Sequence, residues 1–504
     1  MGSNSQKIPE LINISHAIAS HARKNPQKTY LIIGEESYTY SQIDILVNKA
    51  CHLLQENNIS KGDIISMIVS NSVEYVIIYM AGLRMGCPVN PYPYNLDSKD
   101  IFKYLGNIEP EIVFCQKKHY EEMVAYNQCK VFQVRKNFIK DSLTSRPAKG
   151  IVIETDYDSP ACIYYSSGTT GNPKSIIFSH RNMVTNISSI VRGFHHTEND
   201  THLVILPLGH TASVNYSFLP CTLIGATIFM AESFWKIRTK FWEIIKKHKI
   251  NYVEVVPSVL VALANTPYDE TDYSGINSLP YVGCGSASLP LEVQDNFYYK
   301  YGIKVANLYG LSETGPTHVD LPNDKGWESG SIGIPLDVNE IHIVDDNGQF
   351  LPKGEEGEIV VKGPNVFVGY KNNEELYNRT VKNGFFHTGD LGYIGKNGKH
   401  YFTGRKKDLI IKGGINISPD EIDEVIFKLE EVDETTSVGV SDKYLGEKIA
   451  TYIVLKEGRT LESEYVRIFC QKYLSRDKIP DFVKFVESIP KGPSGKILRR
   501  KLKK

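Results

Sequence analysis

Hydrophobic and polar positions change along the chain in blocks. Lys61 to Ser70 is a short polar turn followed by an apolar run, IISMIV. Val73 to Met85 has the spacing of an amphipathic helix, and Pro110 to Cys115 is a second apolar run. Short apolar runs bounded by turn residues read as buried strands, and strand, helix, strand in sequence implies a parallel sheet. The alternation recurs: ACIYYSS from Ala161, a helix from about His180 with Ser179 as cap, THLVILPL from Thr201, TIFMA from Thr227, a helix over Trp235 to Lys249, and NYVEVVP from Asn251. A large doubly wound region is predicted to run to about residue 325.

From Ser331 the pattern shortens to strands with Gly and Asp turns: EIHIVDDNGQF, GEIVVKGP and GYIGKNGKHYF, where DDNG and KNGK are hairpin signals. Beyond it the chain is charged and helical (SPDEIDEVIFKLEEV), then strand-like (ATYIVL), then helical, ending in KILRRKLKK. The predicted class is α/β. A large N-terminal domain (1–406) of doubly wound sheets includes a β-rich subdomain at about 331–405, and a small α+β domain (407–504) follows.

Composition removes several alternatives. Of 504 residues, 41% are apolar and 23% charged, so disordered and low-complexity classes are excluded. With 57 Lys+Arg against 58 Asp+Glu there is no global field for nucleic acid or anionic lipid, and no nucleic-acid partner is expected. The eight cysteines are scattered without a CxxC pair, which suits a reducing compartment and a cytoplasmic location. MGSNSQKIPEL carries no apolar signal core, and its Ser5 misses the place the myristoylation pattern requires. Leu203 to Ala231 is poor in charge but holds Pro207, Asn215 and Pro220, so a strand, a loop and a buried helix are expected there and no membrane span.

The sharpest chemical signal is Tyr164 to Ser175, YYSSGTTGNPKS. Glycines let backbone N–H groups approach an anion, Ser and Thr hydroxyls donate to it, and Lys174 adds a positive charge, so the loop suits phosphate. A solvent-exposed Ser/Gly loop is the plainer alternative. The Walker spacing is not met, because Gly168 and Gly171 lie three apart and Lys174 follows Asn172-Pro173. A GxSxG nucleophile elbow is also missing, which disfavours a hydrolase.

The string resembles the phosphate loop of the adenylate-forming superfamily, which contains acyl- and aryl-CoA synthetases, firefly luciferase and peptide-synthetase adenylation domains. Ser175 departs from the Gly common there. The resemblance implies that Ser166, Ser167, Gly168, Thr169, Thr170, Gly171 and Lys174 hold phosphate, with Thr169 among the catalytic groups. NLYGLSETGP (307–316) resembles the second ATP motif. By that resemblance Tyr309 flanks adenine, Gly310, Ser312 and Thr314 line the nucleotide, and Glu313 holds Mg²⁺, a role that suits a carboxylate and a hard cation. Read alone, the same string is a buried Tyr beside a capping Glu.

FHTGDLG resembles the ribose clamp, with Asp390 accepting from both vicinal hydroxyls, and GRKKD (404–408) resembles the junction to the C-terminal domain, with Arg405 on the nucleotide and Lys407 as hinge. In isolation these are a hairpin turn and a charged loop. KGPSGKILRR resembles the last motif, whose lysine, Lys496, would bridge the substrate carboxylate and the α-phosphate. Arg499, Arg500, Lys501, Lys503 and Lys504 read as a solvated basic tail. By the same resemblance the C-terminal domain is mobile, and the Gly413-Gly414 loop lines a thiol tunnel; a simple turn explains those glycines equally well.

LPLGHTASVNYSFLPCTLIGATIFM (206–230) is similar to the matching stretch of 4-coumarate:CoA ligase and fatty acyl-CoA synthetases, which puts His210 at the acyl site. Ser213, Tyr216, Cys284, Gly285 and Leu311 would line the pocket, with Gly285, Ser286 and Ala287 beside the nucleotide. Amino-acid-activating relatives carry an Asp just after the His position, where this chain has Thr211, Ala212 and Ser213. A buried ammonium there would lack a counter-charge, so a plain α-amino acid is a poor substrate. The resemblance thus implies an acid:thiol ligase of fatty or aromatic acid metabolism that uses ATP, Mg²⁺ and a small carboxylic acid and forms an acyl-AMP and then a thioester. CoA is the expected thiol. A carrier-protein phosphopantetheine is the alternative, and an inactive ATP-binding sensor a third reading.

Overall fold

The computed structural model describes residues 11–126, 128–135, 137–151, 153–166, 174–266, 276–492 and 497–503, with Ser166 and Asn277 described as backbone only. Two seven-stranded sheets carry most of the first 370 residues. One runs Lys304–Asn307, Tyr281–Cys284, Tyr252–Val255, Thr201–Val204, Thr227–Met230, Thr29–Ile33, Glu36–Thr39, parallel until its last, antiparallel strand. The other runs Gly369–Tyr370, Lys174–Ser179, Pro160–Ser166, Val89–Pro91, Ile65–Ile68, Ile112–Gln116, Lys130–Val134. The expected parallel order is present, and the predicted strands at 65, 112, 161, 201, 227 and 252 are all there.

Between the sheets lies one apolar cluster that draws on both. It corrects the reading of the Val73 helix. Val73–Arg84 is buried on every side, with Glu74 alone reaching the surface partway, because it lies inside that layer. Its buried Arg84 is held by Asp44 at 2.8 Å and Asn48 at 2.6 Å. The helix His180–Gly193 starts as predicted, with Ser179 and Asn182 forming a reciprocal cap. The helix expected over Trp235 to Lys249 is broken: Phe234–Ile237, a tighter turn at Arg238–Lys240, then Phe241–Lys247. The tighter turn brings Phe234, Phe241 and Trp242 onto the core and leaves Trp235 exposed.

Downstream, a five-stranded antiparallel sheet is built from Glu340–Val344, Gly357–Lys362, Phe385–Ile394, Val381–Lys382 and His400–Arg405. Gly369–Tyr370, inside the same stretch of sequence, leaves it and pairs with Ile176–Ile177 of the large sheet. After the turn Lys406–Asp408, Ile410–Lys412 opens a further sheet with Ile415–Ile417, Val432–Asp442, Gly446–Leu455 and Phe482–Phe485. The sequence reading did not name Val432–Asp442. Its polar-looking TTS segment is nonetheless buried, with Ser437 and Thr451 hydroxyls paired at 2.8 Å across the hairpin.

Candidate active site

The strand Pro160–Ser166 and the strand Lys174–Ser179 form a hairpin in which Ser166 lies opposite Lys174. Its connecting loop, with Ser167, Gly168, Thr169, Thr170 and Gly171, lies outside the described residues, as does Lys496. Lys174 emerges with its ammonium 5.4 Å from the centre of the Tyr370 ring. The Tyr370 hydroxyl in turn donates to Glu313 Oε1 at 3.2 Å. Three separate chain segments therefore meet at one cation and one carboxylate. Glu313 is buried, its main-chain carbonyl fixed by the Phe367 N–H at 2.9 Å. The Glu313 carboxylate is an oxygen ligand suited to a phosphate-bridging Mg²⁺, and the Lys174 ammonium suits the phosphate itself, so the residues fit that ion.

Asp390 and Arg405 stand directly opposite each other in the antiparallel pair Phe385–Ile394 and His400–Arg405. Asp390 Oδ1 lies 3.1 Å from Arg405 Nε, and Oδ2 accepts from the Tyr309 hydroxyl at 2.9 Å. Burial and the Asp390 charge push the Tyr309 phenol far above its ordinary pKa, so it stays a donor. Each carboxylate oxygen accepts more than one bond, so capacity for a diol is retained. Ser286, Ala287, Tyr309, Gly310, Asp390 and Arg405 all line one cavity of about 1220 Å³ between the N-terminal and C-terminal sheets. Ser286 holds a left-handed backbone (φ 67°) on its rim, the kind of strain that collects at binding sites. Gly285 could not carry a Cβ, which would fall 2.9 Å from the Leu308 carbonyl oxygen. Ser312 is half-buried in the turn of the hairpin whose strands are Gly310–Leu311 and Gly315–Pro316. Thr314 turns its hydroxyl onto the Gly315 carbonyl at 2.7 Å and accepts from the Leu311 N–H at 3.2 Å, a bond that shapes the hairpin.

The residues expected on the acid side do not all meet: His210, Ser213 and Tyr216 share one segment, while Cys284 packs with Val253 and Val255 in the other apolar cluster. His210 caps the short helix Thr211–Ser213, which passes into a wide i to i+5 turn at Val214–Phe218 carrying Tyr216. Such turns often sit at functional sites. The His210 Nε2 is shut from solvent with no partner, and burial lowers the ring's pKa to about 4, so it is neutral. Ser213, Tyr216 and Cys284 are buried, and Leu311 is half-buried. The Tyr216 hydroxyl comes within 3.5 Å of the Tyr309 carbonyl, which links the two ends of the site.

The C-terminal part touches the N-terminal part through Phe427, packed against the second apolar cluster, and through polar contacts: Ser288 to Asp420 at 3.2 Å, the Leu291 N–H to Glu424 at 2.9 Å, and Asn265 to Asp433 at 3.2 Å. Lys407 lies in the short turn between the two sheets. Gly413 and Gly414 have φ 59° and 83° and form the tight turn between Ile410–Lys412 and Ile415–Ile417, so hairpin geometry alone accounts for both glycines. Arg499 corrects the reading of a solvated tail. Its guanidinium is held by Asp420 at 2.7 Å and Asp423 at 2.8 Å, which pins the segment after Lys496 to the helix Pro419–Ile426. The signal was available in the sequence, since Asp420 and Asp423 are three apart and share one helical face.

Two other residues escaped the sequence reading. Tyr370 had no motif to announce it. Glu254 was read as part of an apolar strand, and its charge among valines was the signal passed over.

The AMP-binding enzyme family model matches residues 18–371, and the AMP-binding enzyme C-terminal domain model matches residues 421–496. The chain is 28% identical to an oxalate--CoA ligase of Arabidopsis thaliana, over 97% of each chain. It is 29% identical to 4-coumarate--CoA ligase 1 of Petroselinum crispum, covering 98% of this chain and 94% of that one. The ATP-bound crystal structure of MatB from Rhodopseudomonas palustris superposes with a TM-score of 0.91 at 25% identity, covering 98% of both chains, against 0.81 for the apo form.

Proposed function

The chain belongs to the AMP-binding enzyme family, and from that membership we propose how its residues divide the work of an AMP-forming acid:thiol ligase. The enzyme binds ATP and a carboxylic acid. A carboxylate oxygen attacks the α-phosphorus, the bond to the bridging oxygen breaks, and pyrophosphate leaves. The CoA sulfur then attacks the acyl carbon, the carbon–oxygen bond to AMP breaks, and the thiol proton passes to solvent. Positioning and charge neutralisation are the protein's share, with no covalent enzyme intermediate.

The observation that carries the assignment of roles is the convergence of Lys174, Tyr370 and Glu313 at one end of the cavity region and of Tyr309, Asp390 and Arg405 at the other. Asp390 takes the ribose hydroxyls, Tyr309 lies along the base, and Lys174 with the loop 167–171 takes the phosphates. Glu313 would hold Mg²⁺, whose contribution is to neutralise phosphate charge. Lys496 bridges the acid and the α-phosphate. His210, Ser213, Tyr216, Gly285 and Leu311 enclose the acyl group, while the Cys284 side chain lies in the aliphatic cluster with Val253 and Val255. CoA is named as acceptor by both curated relatives, and nothing favours a carrier protein. Eight free cysteines, seven of them buried, support a reducing compartment. Among the described residues no helix is long and apolar enough to cross a membrane.

The chain divides functionally into 1–406 and 407–504, turning about Lys407. A seam made largely of polar contacts supports this, because such an interface can be remade at low cost. The closing assay is pyrophosphate release and thioester formation over a panel of aliphatic and aromatic acids with CoA. Lys496→Ala should lose adenylate formation and still convert supplied acyl adenylate to thioester. Loss of both half-reactions in a folded variant would remove the alternation mechanism, and absence of acid-dependent pyrophosphate release would remove the ligase assignment.

A further inference from the structure

The strand Tyr252–Val255 has two faces. Val253 and Val255 pack into the aliphatic cluster beneath the sheet, while Tyr252 and Glu254 face the other way, toward Phe194, Tyr216, Tyr281 and Leu308. An apolar residue is expected at 254 on either face. The carboxyl found there is 2% exposed, and neither of its oxygens has a hydrogen-bond partner. The Tyr252 hydroxyl next to it also has none. Buried polar groups are almost always satisfied, so this clustering of unmet acceptors calls for a donor that comes and goes.

Its position says which donor. Glu254 lies opposite Gly283 in the neighbouring strand, the one that runs into Cys284, Gly285 and Ser286. Its charge contributes to raising the pKa of Tyr216, Tyr252 and Cys284, so it lies close to all three. Gly283 lets Leu308 and Tyr252 pack closely there, since a Cβ on it would fall 2.8 Å from Leu308 Cδ1 and 3.0 Å from the Tyr252 hydroxyl. The carboxyl is therefore buried on the face of the sheet that carries Tyr252 and Tyr216, the latter a residue the ligase reading gives to the acid.

Resting on the ligase reading, we propose that Glu254 selects the acid, and that the preferred substrate carries a protonated amine on the part of its acyl group remote from the reacting carboxylate. Two carboxylate oxygens and one phenol oxygen offer three acceptors, and an ammonium carries three donors. An α-ammonium would instead lie beside His210, Thr211, Ala212 and Ser213, where no counter-charge stands. Burial pushes the Glu254 carboxyl up to about 8, so it rests uncharged and ionises when a cation arrives. A second carboxylate at the far end of the substrate would face this acid unsupported.

The test compares kcat/KM, by pyrophosphate release, for matched pairs: an ω-aminoalkanoate against the alkanoate of equal length, and an aminomethylbenzoate against an ethylbenzoate, with an ω-hydroxyalkanoate as a third arm. Parent enzyme should favour the amine over its apolar partner by about 100-fold or more. Glu254→Gln, which keeps the shape, should bring the ratio to within about threefold of unity. Glu254→Leu should invert it, with thermal melting showing that the variant is folded. A ratio unmoved in both variants, or a parent preference for the apolar or hydroxy acid, overturns the role of Glu254 and leaves the ligase reading standing. No release with any acid overturns both.

Discussion

At the nucleotide end Tyr309, Asp390 and Arg405 satisfy one another, and Tyr370 bridges Lys174 to Glu313. At the acid end His210 Nε2, the Tyr252 hydroxyl and both Glu254 oxygens are buried without partners. A site that must take the same nucleotide on every turnover can be built of groups pre-ordered by each other. A pocket whose occupant supplies the missing bonds is discriminating, because the wrong occupant leaves those groups unpaired. The two ends should therefore fail differently when cut.

The deepest cut is at the nucleotide end. Asp390→Ala removes two charge-assisted hydrogen bonds to the ribose and should weaken ATP by about 3 to 6 kcal/mol while leaving affinity for the acid almost unchanged. It also strips Arg405 and Tyr309 of their partner, so Asp390→Asn, which keeps a bond to Tyr309, separates binding from folding. Calorimetric titration with ATP decides: affinity unchanged in a folded variant would remove Asp390 from the ribose.

At the acid end the largest expected change is in stability. Glu254 has an ordinary pKa of 4.5 and is held at about 8 by burial in the folded protein. The unfolded chain ionises it above 4.5 and the folded chain does not until about 8, so its contribution is full below 4.5 and is lost as pH rises toward 8. At about 1.4 kcal/mol per pH unit that loss is on the order of 5 kcal/mol. Tyr216, Tyr252 and Cys284 around it are pushed upward by burial, and His202 against Tyr252 is lowered to about 4, so none of them titrates across this window. Urea unfolding at pH 5 and pH 8 should show Glu254→Gln gaining on the parent at the higher pH; parallel curves would mean the carboxyl has a partner.

A smaller effect is expected from Tyr216, the ring between the two ends. Tyr216→Ala opens space next to Glu254 and should shift selectivity toward bulkier acids by about 1 to 3 kcal/mol, with ATP affinity unmoved. An acid profile that overlays the parent's would make Tyr216 a core residue only.

How legible each end was follows from the chain. The groups proposed for the nucleotide, Glu313, Asp390 and Arg405, sit in short contiguous strings that a motif reading can single out, and strand register sets Asp390 opposite Arg405. The proposed acid end draws on single positions in a short helix, a wide turn and separate strands. Glu254 was hidden in NYVEVVP because an apolar run with one charge still reads as a strand, and only the two-faced packing shows that the charge lies on the Tyr252 face. Arg499 was lost among neighbouring basic residues, and only the Asp420 and Asp423 face tells it from them. The buried Val73–Arg84 helix was misread because its amphipathic spacing says nothing of a second sheet covering its other side.

Tyr370 shows the same limit at the nucleotide end, and it gives the smallest and finest cut. It arrives on the two-residue strand Gly369–Tyr370, which crosses from the β-rich stretch to pair with Ile176–Ile177, and no local pattern foretells that crossing. Its ring faces the Lys174 ammonium and its hydroxyl orients Glu313, so ring and hydroxyl can be tested apart. Tyr370→Phe keeps the ring and deletes a hydrogen bond to a carboxylate, worth about 1.5 to 3 kcal/mol at most and about 1 kcal/mol after Glu313 re-solvates. The expected result is ATP·Mg²⁺ affinity weaker by roughly fivefold, a raised Mg²⁺ requirement, and an acid profile that overlays the parent's. Tyr370→Leu should add the loss of the cation–ring contact, about 0.5 to 1 kcal/mol more on the nucleotide alone. If Tyr370→Phe instead alters the choice of acid, the two ends are coupled through Glu313, and their separation into a pre-ordered half and a discriminating half is wrong.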